Sequence, residues 1–313
     1  MLETRWPRET DWLAWRTSTT TGTLLRYDLN YTMEFRLLGC AKQGSPTRKY
    51  AEEMRVPGLF VAGTDTDVGK THVAAALART LVASGRRVGV YKPVASGFVT
   101  AADEGSDARM LWEAAGRPRT PEAVCPQTFR AAIAPPASAR AEGRRVDRDL
   151  LVTGLAPWLD VSDVVLVEGA GGLFSPLADD FLVLDLVRTF DLPTVIVDSA
   201  RLGAIGRSLA TVRAARAEGI AVAAVVLSHA VPPLAAQGPA SAVAIALDAA
   251  AEIASRTGVP AAILDCGAGC MPAGIDWAGL ACGQSADRSG AGSAMAQEVR
   301  PAGCGAAAPT PPP

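Results

Sequence analysis

Histidine is nearly missing from this chain of 313 residues, which contains only His72 and His229. Catalysis by a Ser-His-Asp or Cys-His arrangement places a histidine base beside the nucleophile, and two histidines leave little material for such a site. We therefore expect a reaction that needs no protein nucleophile activated by histidine.

Paired cysteines are also lacking. The chain has six cysteines and none of them forms a CxxC pair. Cys266 and Cys270 are the closest two, and no histidine lies near them in the sequence. A zinc site is therefore not expected, and the thiols are expected to be reduced and unpaired.

A strong charge of either sign and a long apolar run are missing as well. The formal net charge is -2, which gives no electrostatic reason to bind nucleic acid or an anionic membrane surface. No apolar run approaches the roughly 18 residues that indicate a membrane span. Residues 1–15 are charged and contain tryptophan, unlike a signal peptide. We expect a cytoplasmic protein with no nucleic acid and no membrane partner.

The two ends of the chain differ from its middle. Residues 1–54 show no sustained helical or strand period, and Met54 stands just before the first apolar run. We interpret residues 1–54 as an extension, disordered or upstream of a true start at Met54. Residues 283–313 are rich in Ala, Gly, Ser and Pro, a composition that predicts a disordered tail. Residues 55–282 remain as one predicted domain.

Short apolar runs alternate with helical patterns inside that domain. This alternation predicts a parallel sheet with right-handed crossovers and helices on both faces, a single α/β domain of the P-loop NTPase type. Ligands of such sheets gather at the carboxyl ends of the strands. The predicted strands are Leu59–Ala62, Arg87–Lys92, Val164–Glu168, Thr194–Asp198, Ala221–Leu227 and Ala261–Leu264. The predicted helices are Thr71–Ser84, Asp107–Ala115, Arg148–Trp158, Ile205–Glu218 and Ala240–Thr257.

The segment Gly63–Thr71, with the sequence GTDTDVGKT, is the most informative stretch. It joins the first predicted strand to an alanine-rich helix, so its backbone N–H groups and the helix N-terminus can face a triphosphate. In such a loop Lys70 would reach the terminal phosphates and the Thr71 hydroxyl would bind Mg²⁺. Five residues, rather than the usual four, separate Gly63 from Gly69, which indicates a particular branch of P-loop proteins.

The second predicted strand ends in the segment YKPVASG, Tyr91–Gly97. Lys92 at this point could stabilise charge on a phosphoryl group during its transfer, or it could be an ordinary surface lysine. Ser96, in the following turn, could donate a hydrogen bond to a substrate oxygen. The spacing alone leaves both interpretations of Lys92 open.

Two carboxylates are candidates for the same edge of the sheet. Asp107 opens a predicted helix, where it could cap the helix or bind Mg²⁺. Glu168 directly follows an apolar run and precedes Gly169–Gly172, whose glycines let the backbone approach a ligand closely. Because a buried carboxylate without a partner is costly, we predict a metal-binding role for Glu168.

Four segments in this order resemble those of dethiobiotin synthetases: Gly63–Thr71, Tyr91–Gly97, Gly105–Ala108 and Val167–Gly172. The resemblance extends over about residues 56–227. It implies an ATP- and Mg²⁺-dependent ligase of biotin biosynthesis. Such a ligase forms the ureido ring of dethiobiotin from 7,8-diaminononanoate and CO₂ or bicarbonate. The reaction proceeds through a carbamate and a carbamic-phosphoric anhydride and releases ADP and phosphate. The resemblance also implies a homodimer.

The same resemblance implies roles for individual residues. Mg²⁺ would be held by Thr71, Asp107 and Glu168. Lys92 would be catalytic together with Lys70, while Ser96 and Thr66 would contact the diamine or its carbamate. The nucleotide would lie against Asp67, Val68, Gly69, Lys70, Thr71, His72, Asp107, Glu168, Gly169, Ala170 and Gly171.

The chain departs from the family pattern in its second half. Ser228-His229 stands where the family has an Asn-Asp pair that reads adenine, so the nucleotide selectivity stays open. Gly206-Arg207 stands where the family usually has Asn-His, and residues 258–284 match poorly. The alternative function is that of a partition- or septum-type ATPase acting as a nucleotide-gated dimer. Such ATPases carry a second lysine at the position of Thr64.

Overall fold

The structure, a computed structural model, describes residues 56–230 and 239–284. The extension predicted for residues 1–54 and nearly all of the tail predicted for residues 283–313 lie outside the described residues, so both stay predictions. Within the described part of the chain, no helix is long and apolar enough to cross a membrane.

Ten strands are described. In chain order they are β1 Gly58–Gly63, β2 Val88–Tyr91, β3 Ala95–Ser96, β4 Thr128–Phe129, β5 Val164–Gly172, β6 Pro176–Ala178, β7 Phe181–Leu182, β8 Thr194–Ser199, β9 Val222–Ser228 and β10 Ala261–Leu264. Six of them form one sheet in the order β10-β9-β8-β1-β5-β2, and every pairing in that sheet is parallel. The predicted parallel α/β sheet is therefore confirmed, with all six predicted strands in it.

The helices occupy the connections between the strands. In chain order they are α1 Lys70–Ala83, α2 Asp107–Ala114, α3 Pro121–Val124, α4 Pro135–Ala141, α5 Arg148–Thr153, α6 Ala156–Leu159, α7 Val183–Phe190, α8 Ala204–Ala217, α9 Pro239–Thr257 and α10 Trp277–Ala281. The sequence analysis did not predict α3, α4, α7, α10 or the small strand pairs β3-β4 and β6-β7. All of these elements are short, and α7, although it is amphipathic, has only eight residues.

The single helix predicted over Arg148–Trp158 is wrong, since the chain forms α5 and α6 there instead. The Tyr91 hydroxyl donates to the carbonyls of Leu150 and Leu151 at 2.8 and 3.1 Å and fills space beside Gly154. Pro157 has no N–H to continue a helical hydrogen-bond ladder. A side chain from β2 therefore ends α5 where the local sequence pattern continues.

The core lies on the central strands of the sheet. Every residue of β1 is buried, as expected for a strand covered on both faces. The alanines of α1, from Ala74 to Ala78, are also buried, so this helix packs closely against the sheet. Because β1 lies between β8 and β5, the loop that follows it emerges at the centre of the carboxyl edge.

Candidate active site

A cleft of about 850 Å³ opens at the carboxyl edge of the sheet, beside the loop between β1 and α1. It is lined by most of the predicted site residues, namely Thr66, Asp67, Gly69, Lys70, Thr71, His72, Lys92, Ser96, Asp107, Glu168, Ala170 and Gly171. Val68 and Gly169 do not line it. Val68 is in the core, and a Cβ on Gly169 would lie 2.9 Å from Val183 Cγ1.

The loop Gly63–Gly69, called the phosphate loop from here on, ends in a left-handed backbone. Gly69 has a φ of 92°, and a Cβ there would lie 2.4 Å from Ser228 Oγ. Only glycine fits this position without a rearrangement. The turn starts α1 at Lys70, so the free N–H groups of its first turn lie at the cleft, where they and the helix dipole favour an anion.

Lys70 lies folded along the phosphate loop. Its ammonium donates to the Asp65 carbonyl at 2.9 Å, and the residue is 7% exposed. Burial, and then the nearby Lys92 ammonium, lower the pKa of Lys70 below its ordinary value. Two lysine cations that face one cleft repel each other unless an anion lies between them, which suits a site for phosphates.

Lys92 is buried between two carboxylates. Its ammonium lies 2.5 Å from Asp107 Oδ2 and 2.5 Å from Glu168 Oε1, and the residue is 4% exposed. Burial alone would lower the pKa of Lys92, but the two carboxylates raise it above its ordinary value, so the side chain is a cation. The surface-lysine interpretation is therefore wrong.

Asp107 does not cap its helix. Ser106 is the N-cap, and its hydroxyl accepts from the N–H of Arg109 at 3.2 Å. The Asp107 carboxylate instead faces Lys92 and the Thr71 hydroxyl, which is 2.9 Å from Asp107 Oδ1. Burial would raise the pKa of Asp107, but Lys92 lowers it below its usual value.

Glu168 contacts both Lys92 and Thr71, and these residues together with Asp107 form the charged cluster of the cleft. Glu168 belongs to β5, is 1% exposed, and its Oε1 lies 2.8 Å from the Thr71 hydroxyl. Burial raises the pKa of Glu168, and the Lys92 ammonium opposes this effect. With that cation at 2.5 Å we treat Glu168 as ionised at neutral pH.

These oxygens suit a hard divalent cation. Thr71, Asp107 and Glu168 converge, and Glu168 Oε2 is buried with no hydrogen-bond partner among the residues that the structure describes. Nowhere in the described part of the chain do three or more His, Cys, Asp or Glu side chains form a group that could hold a metal by themselves. A cation here would take part of its coordination from water or phosphate oxygens, as Mg²⁺ usually does.

The cleft also contains residues that the sequence did not single out. They are Arg79, Ala95, Phe98, Met110, Ala230, Gly267, Ala268 and Gly269. Arg79 donates to the Gly269 carbonyl, and the Met271 N–H donates to the Thr80 hydroxyl at 2.9 Å. These two contacts attach the segment after β10 to α1. The signal that the sequence offers for this segment is its glycines, Gly267, Gly269 and Gly274, which indicate irregular backbone.

His72, in the first turn of α1, contacts the end of β9. Its Nδ1 lies 3.1 Å from Ser228 Oγ, and Ser228 is one of the residues that depart from the family pattern. Burial, and then Arg79, lower the pKa of His72 below its ordinary value. The imidazole is therefore neutral at physiological pH.

One family model and several similar proteins match this chain. The AAA domain family matches residues 57–263. The ATP-dependent dethiobiotin synthetase BioD of Rhodopirellula baltica is 48% identical over 185 residues, covering 54% of this chain and 72% of that protein. The protein of the same name in Caulobacter vibrioides is 43% identical over 173 residues, covering 55% of this chain and 79% of that protein.

A relative with lower sequence identity carries the same name. The ATP-dependent dethiobiotin synthetase BioD of Bacillus licheniformis is 40% identical over 171 residues, covering 55% of this chain and 72% of that protein. Among solved structures, chloroplast FtsY from Physcomitrella patens is 15% identical with a TM-score of 0.40, covering 76% of this chain and 72% of that chain. A structural likeness this slight adds nothing to the assignment, which rests on the sequence matches. The chain belongs to the dethiobiotin synthetase family.

Proposed function

We propose that this ATP-dependent dethiobiotin synthetase closes the ureido ring of dethiobiotin from 7,8-diaminononanoate, CO₂ and ATP, and that the cleft at the carboxyl edge is its active site. The observation that carries the proposal is the buried Lys92, shared by Asp107 and Glu168 beside the phosphate loop. The relatives named above are synthetases of this kind.

The chemistry requires two anions to meet. One amine of the diamine adds CO₂ and loses a proton, which gives a carbamate. A carbamate oxygen attacks the γ-phosphorus of ATP and ADP leaves, which gives a carbamic-phosphoric anhydride. The second amine then attacks the carbonyl carbon, phosphate leaves with the C–O bonding pair, the attacking nitrogen gives up one proton to the phosphate or to water, and the ring closes. Cations must offset the repulsion between carbamate and triphosphate.

The residues of the cleft divide this work. The first turn of α1 and Lys70 hold the phosphates. Lys92 lies between the carboxylates of Asp107 and Glu168, where its ammonium can stabilise the charge on the phosphoryl group during transfer. Thr71, Asp107 and Glu168 would hold Mg²⁺, which when bound neutralises phosphate charge and orients the γ-phosphoryl group.

The diamine side of the cleft has both polar and apolar residues. Thr66 and Ser96 line the cleft, and their hydroxyls would orient the amines or the carbamate by hydrogen bonds. Phe98 and Met110 line the same cleft and suit the methylene chain between the diamine and the carboxylate. The homodimer and the cytoplasmic location stay predictions.

The test is ADP release measured with 7,8-diaminononanoate and bicarbonate. We expect turnover that requires the diamine. Lys92→Ala should lower kcat at least about 100-fold, because positioned charge in a closed site contributes this much to catalysis. Lys70→Ala should also weaken ATP binding. Arg87→Ala removes an exposed cation that pairs with Asp163 at the surface, and it should leave turnover unchanged.

Two outcomes would contradict the proposal. ADP release that does not change when the diamine is omitted would indicate a simple ATPase, as in the partition-type alternative. Full activity of Lys92→Ala, with the wild-type melting temperature, would show that the cluster around Lys92 is not the reaction centre.

A further inference from the structure

Asp198 is a buried charge that the proposed reaction does not use. It lies in β8, is completely buried, and does not line the cleft described above. Its oxygens accept from Thr64 Oγ1 at 2.8 Å, Ser199 N at 2.8 Å, Arg207 Nε at 3.1 Å and Ser208 Oγ at 3.3 Å. These donors offset the cost of burying a carboxylate, and one of them belongs to the phosphate loop.

The contact with Thr64 fixes the start of the phosphate loop. Thr64 is the second residue of that loop, and its backbone N–H also donates to the Val197 carbonyl at 2.9 Å. On another side, the end of β5 is close, since a Cβ on Gly172 would lie 3.0 Å from the Thr64 carbonyl oxygen. Backbone and side chain of Thr64 are thus both attached to β8, and the loop has little room to shift.

The next residue carries this restraint to Lys70. The carbonyl of Asp65 accepts from the Lys70 ammonium at 2.9 Å. Because Asp65 directly follows Thr64, the position of this carbonyl depends on the position of Thr64. A continuous path therefore runs from the Asp198 carboxylate through Thr64 and Asp65 to a cation that faces the phosphates.

Arg207 completes the arrangement from α8. Its Nε lies 3.1 Å from each oxygen of Asp198, and its guanidinium also reaches Ser199 Oγ at 3.3 Å. A guanidinium in this geometry neutralises the carboxylate and keeps it from rotating. Asp198 is thereby held in the one orientation that receives the Thr64 hydroxyl.

We propose that Asp198 is a positioning residue for nucleotide binding. It holds the phosphate loop through Thr64 in the shape that presents Lys70 and the first turn of α1 to the phosphates. The effect concerns ATP alone and does not depend on the identity of the second substrate, so it is separate from the proposed synthetase reaction.

Three variants of the full chain test the proposal. Thr64→Val removes the hydroxyl and keeps the shape, whereas Thr64→Ser keeps the hydroxyl. Ser208→Ala is the matched control, because it also removes one hydroxyl donor from Asp198 but has no contact with the phosphate loop. The measurements are the Kd of ATP by calorimetry without the diamine, the kcat and KM for ATP, and the melting temperature.

We expect Thr64→Val to raise the Kd and KM for ATP about tenfold, the effect of losing a hydrogen bond to a charged group, with little change in melting temperature. Thr64→Ser should restore binding to within about twofold of wild type. Ser208→Ala should lower the melting temperature slightly and leave the Kd of ATP unchanged.

Three results would overturn the proposal. The first is Thr64→Val that binds ATP as wild type does, which would give the Asp198 contacts a role in folding alone. The second is Thr64→Ser that is as impaired as Thr64→Val, since the hydroxyl would then not matter. The third is a loss of ATP affinity in Ser208→Ala as large as that in Thr64→Val.

Discussion

Burial changes the pKa values of the charged side chains in this cleft from those of exposed groups. Lys92 and Glu168 are almost completely buried, and Lys92 Nζ lies 2.5 Å from Glu168 Oε1. The Asp107 carboxylate contacts the same Lys92 ammonium. Removing one partner of such a group leaves an uncompensated charge, which costs several kcal/mol, about 3–5 in comparable cases. Lys92, Asp107 and Glu168 therefore depend on one another for the compensation of their buried charges, which suits a site where charge must be neutralised during phosphoryl transfer.

His72 gives a prediction for pH dependence at the scale of the residue. Its pKa in the folded chain is lowered from the ordinary value of 6.5. The unfolded chain then binds a proton more readily than the folded chain does. Stability is therefore complete above pH 6.5 and decreases as the pH falls through 6.5 toward the folded-state pKa.

The measurement is the free energy of unfolding in urea between pH 5 and pH 8, for the wild type and for His72→Gln. We expect the wild type to lose more stability than His72→Gln as the solution becomes acidic. An NMR titration of the His72 ring should give a pKa below 6.5. A pKa above that value, or identical pH profiles for the two proteins, would contradict the prediction.

At the scale of elements, α1 both borders the cleft and holds the segment that follows β10. Its first turn faces the cleft, while Arg79 and Thr80, two turns later, hold the segment after β10 through Gly269 and Met271. That segment contributes Gly267, Ala268 and Gly269 to the cleft wall. The helix whose first turn borders the cleft therefore also positions the part of the cleft wall that follows β10.

Removing the Arg79 side chain should loosen that wall. In Arg79→Ala we expect amide hydrogen exchange of residues 266–271 to become about tenfold faster, because local opening loses a restraining hydrogen bond. Exchange in the middle of α1 should not change. Arg213→Ala, which removes an exposed arginine from α8, is the control. Unchanged exchange at residues 266–271 would show that Arg79 does not restrain the segment.

At the scale of the whole molecule, the core identifies the part of the chain that the fold needs. Buried core residues extend from Leu59 near the start of β1 to Ala281 at the end of α10. Trp277 and Leu280 of α10 belong to this core. The predicted domain of residues 55–282 thus includes every described core position.

A chain of residues 55–284 should therefore fold and turn over as the full chain does, with kcat within about twofold. A chain of residues 55–272 lacks α10 and should be destabilised by several kcal/mol, since truncating buried large side chains costs about 3–5 kcal/mol each. Thermal melting and the ADP-release assay distinguish the two. A loss of folding in the longer fragment would show that residues outside 55–284 support the domain.

Much of the molecule could be predicted from sequence because its signals are local. The strands are short apolar runs, and the phosphate loop needs glycine at position 69, where φ is 92°. Lys92 follows β2, Asp107 begins α2 and Glu168 ends the apolar run of β5, so their place near the carboxyl edge follows from the parallel sheet. Their assignment as one site came from four motifs occurring in order.

Contacts between distant parts of the chain could not be predicted in this way. The sequence left open whether Asp107 caps its helix, and the structure has Ser106 as the cap while the Asp107 carboxylate contacts Lys92 and Thr71. The division of residues 148–159 into two helices depends on the Tyr91 hydroxyl from β2. Each outcome depends on side chains that only the folded sheet brings together.

The sequence by itself determined the parallel α/β architecture, the triphosphate loop and the family. The glycine positions and apolar periods that specify them each lie within a few consecutive residues. Tertiary structure alone decided that Lys92 is a buried cation between two carboxylates, that Arg79 holds the cleft wall, and that Asp198 reaches Thr64. Thr64 and Asp198 lie 134 positions apart in the chain. No local pattern encodes such a contact, since it exists only once β8 lies beside β1.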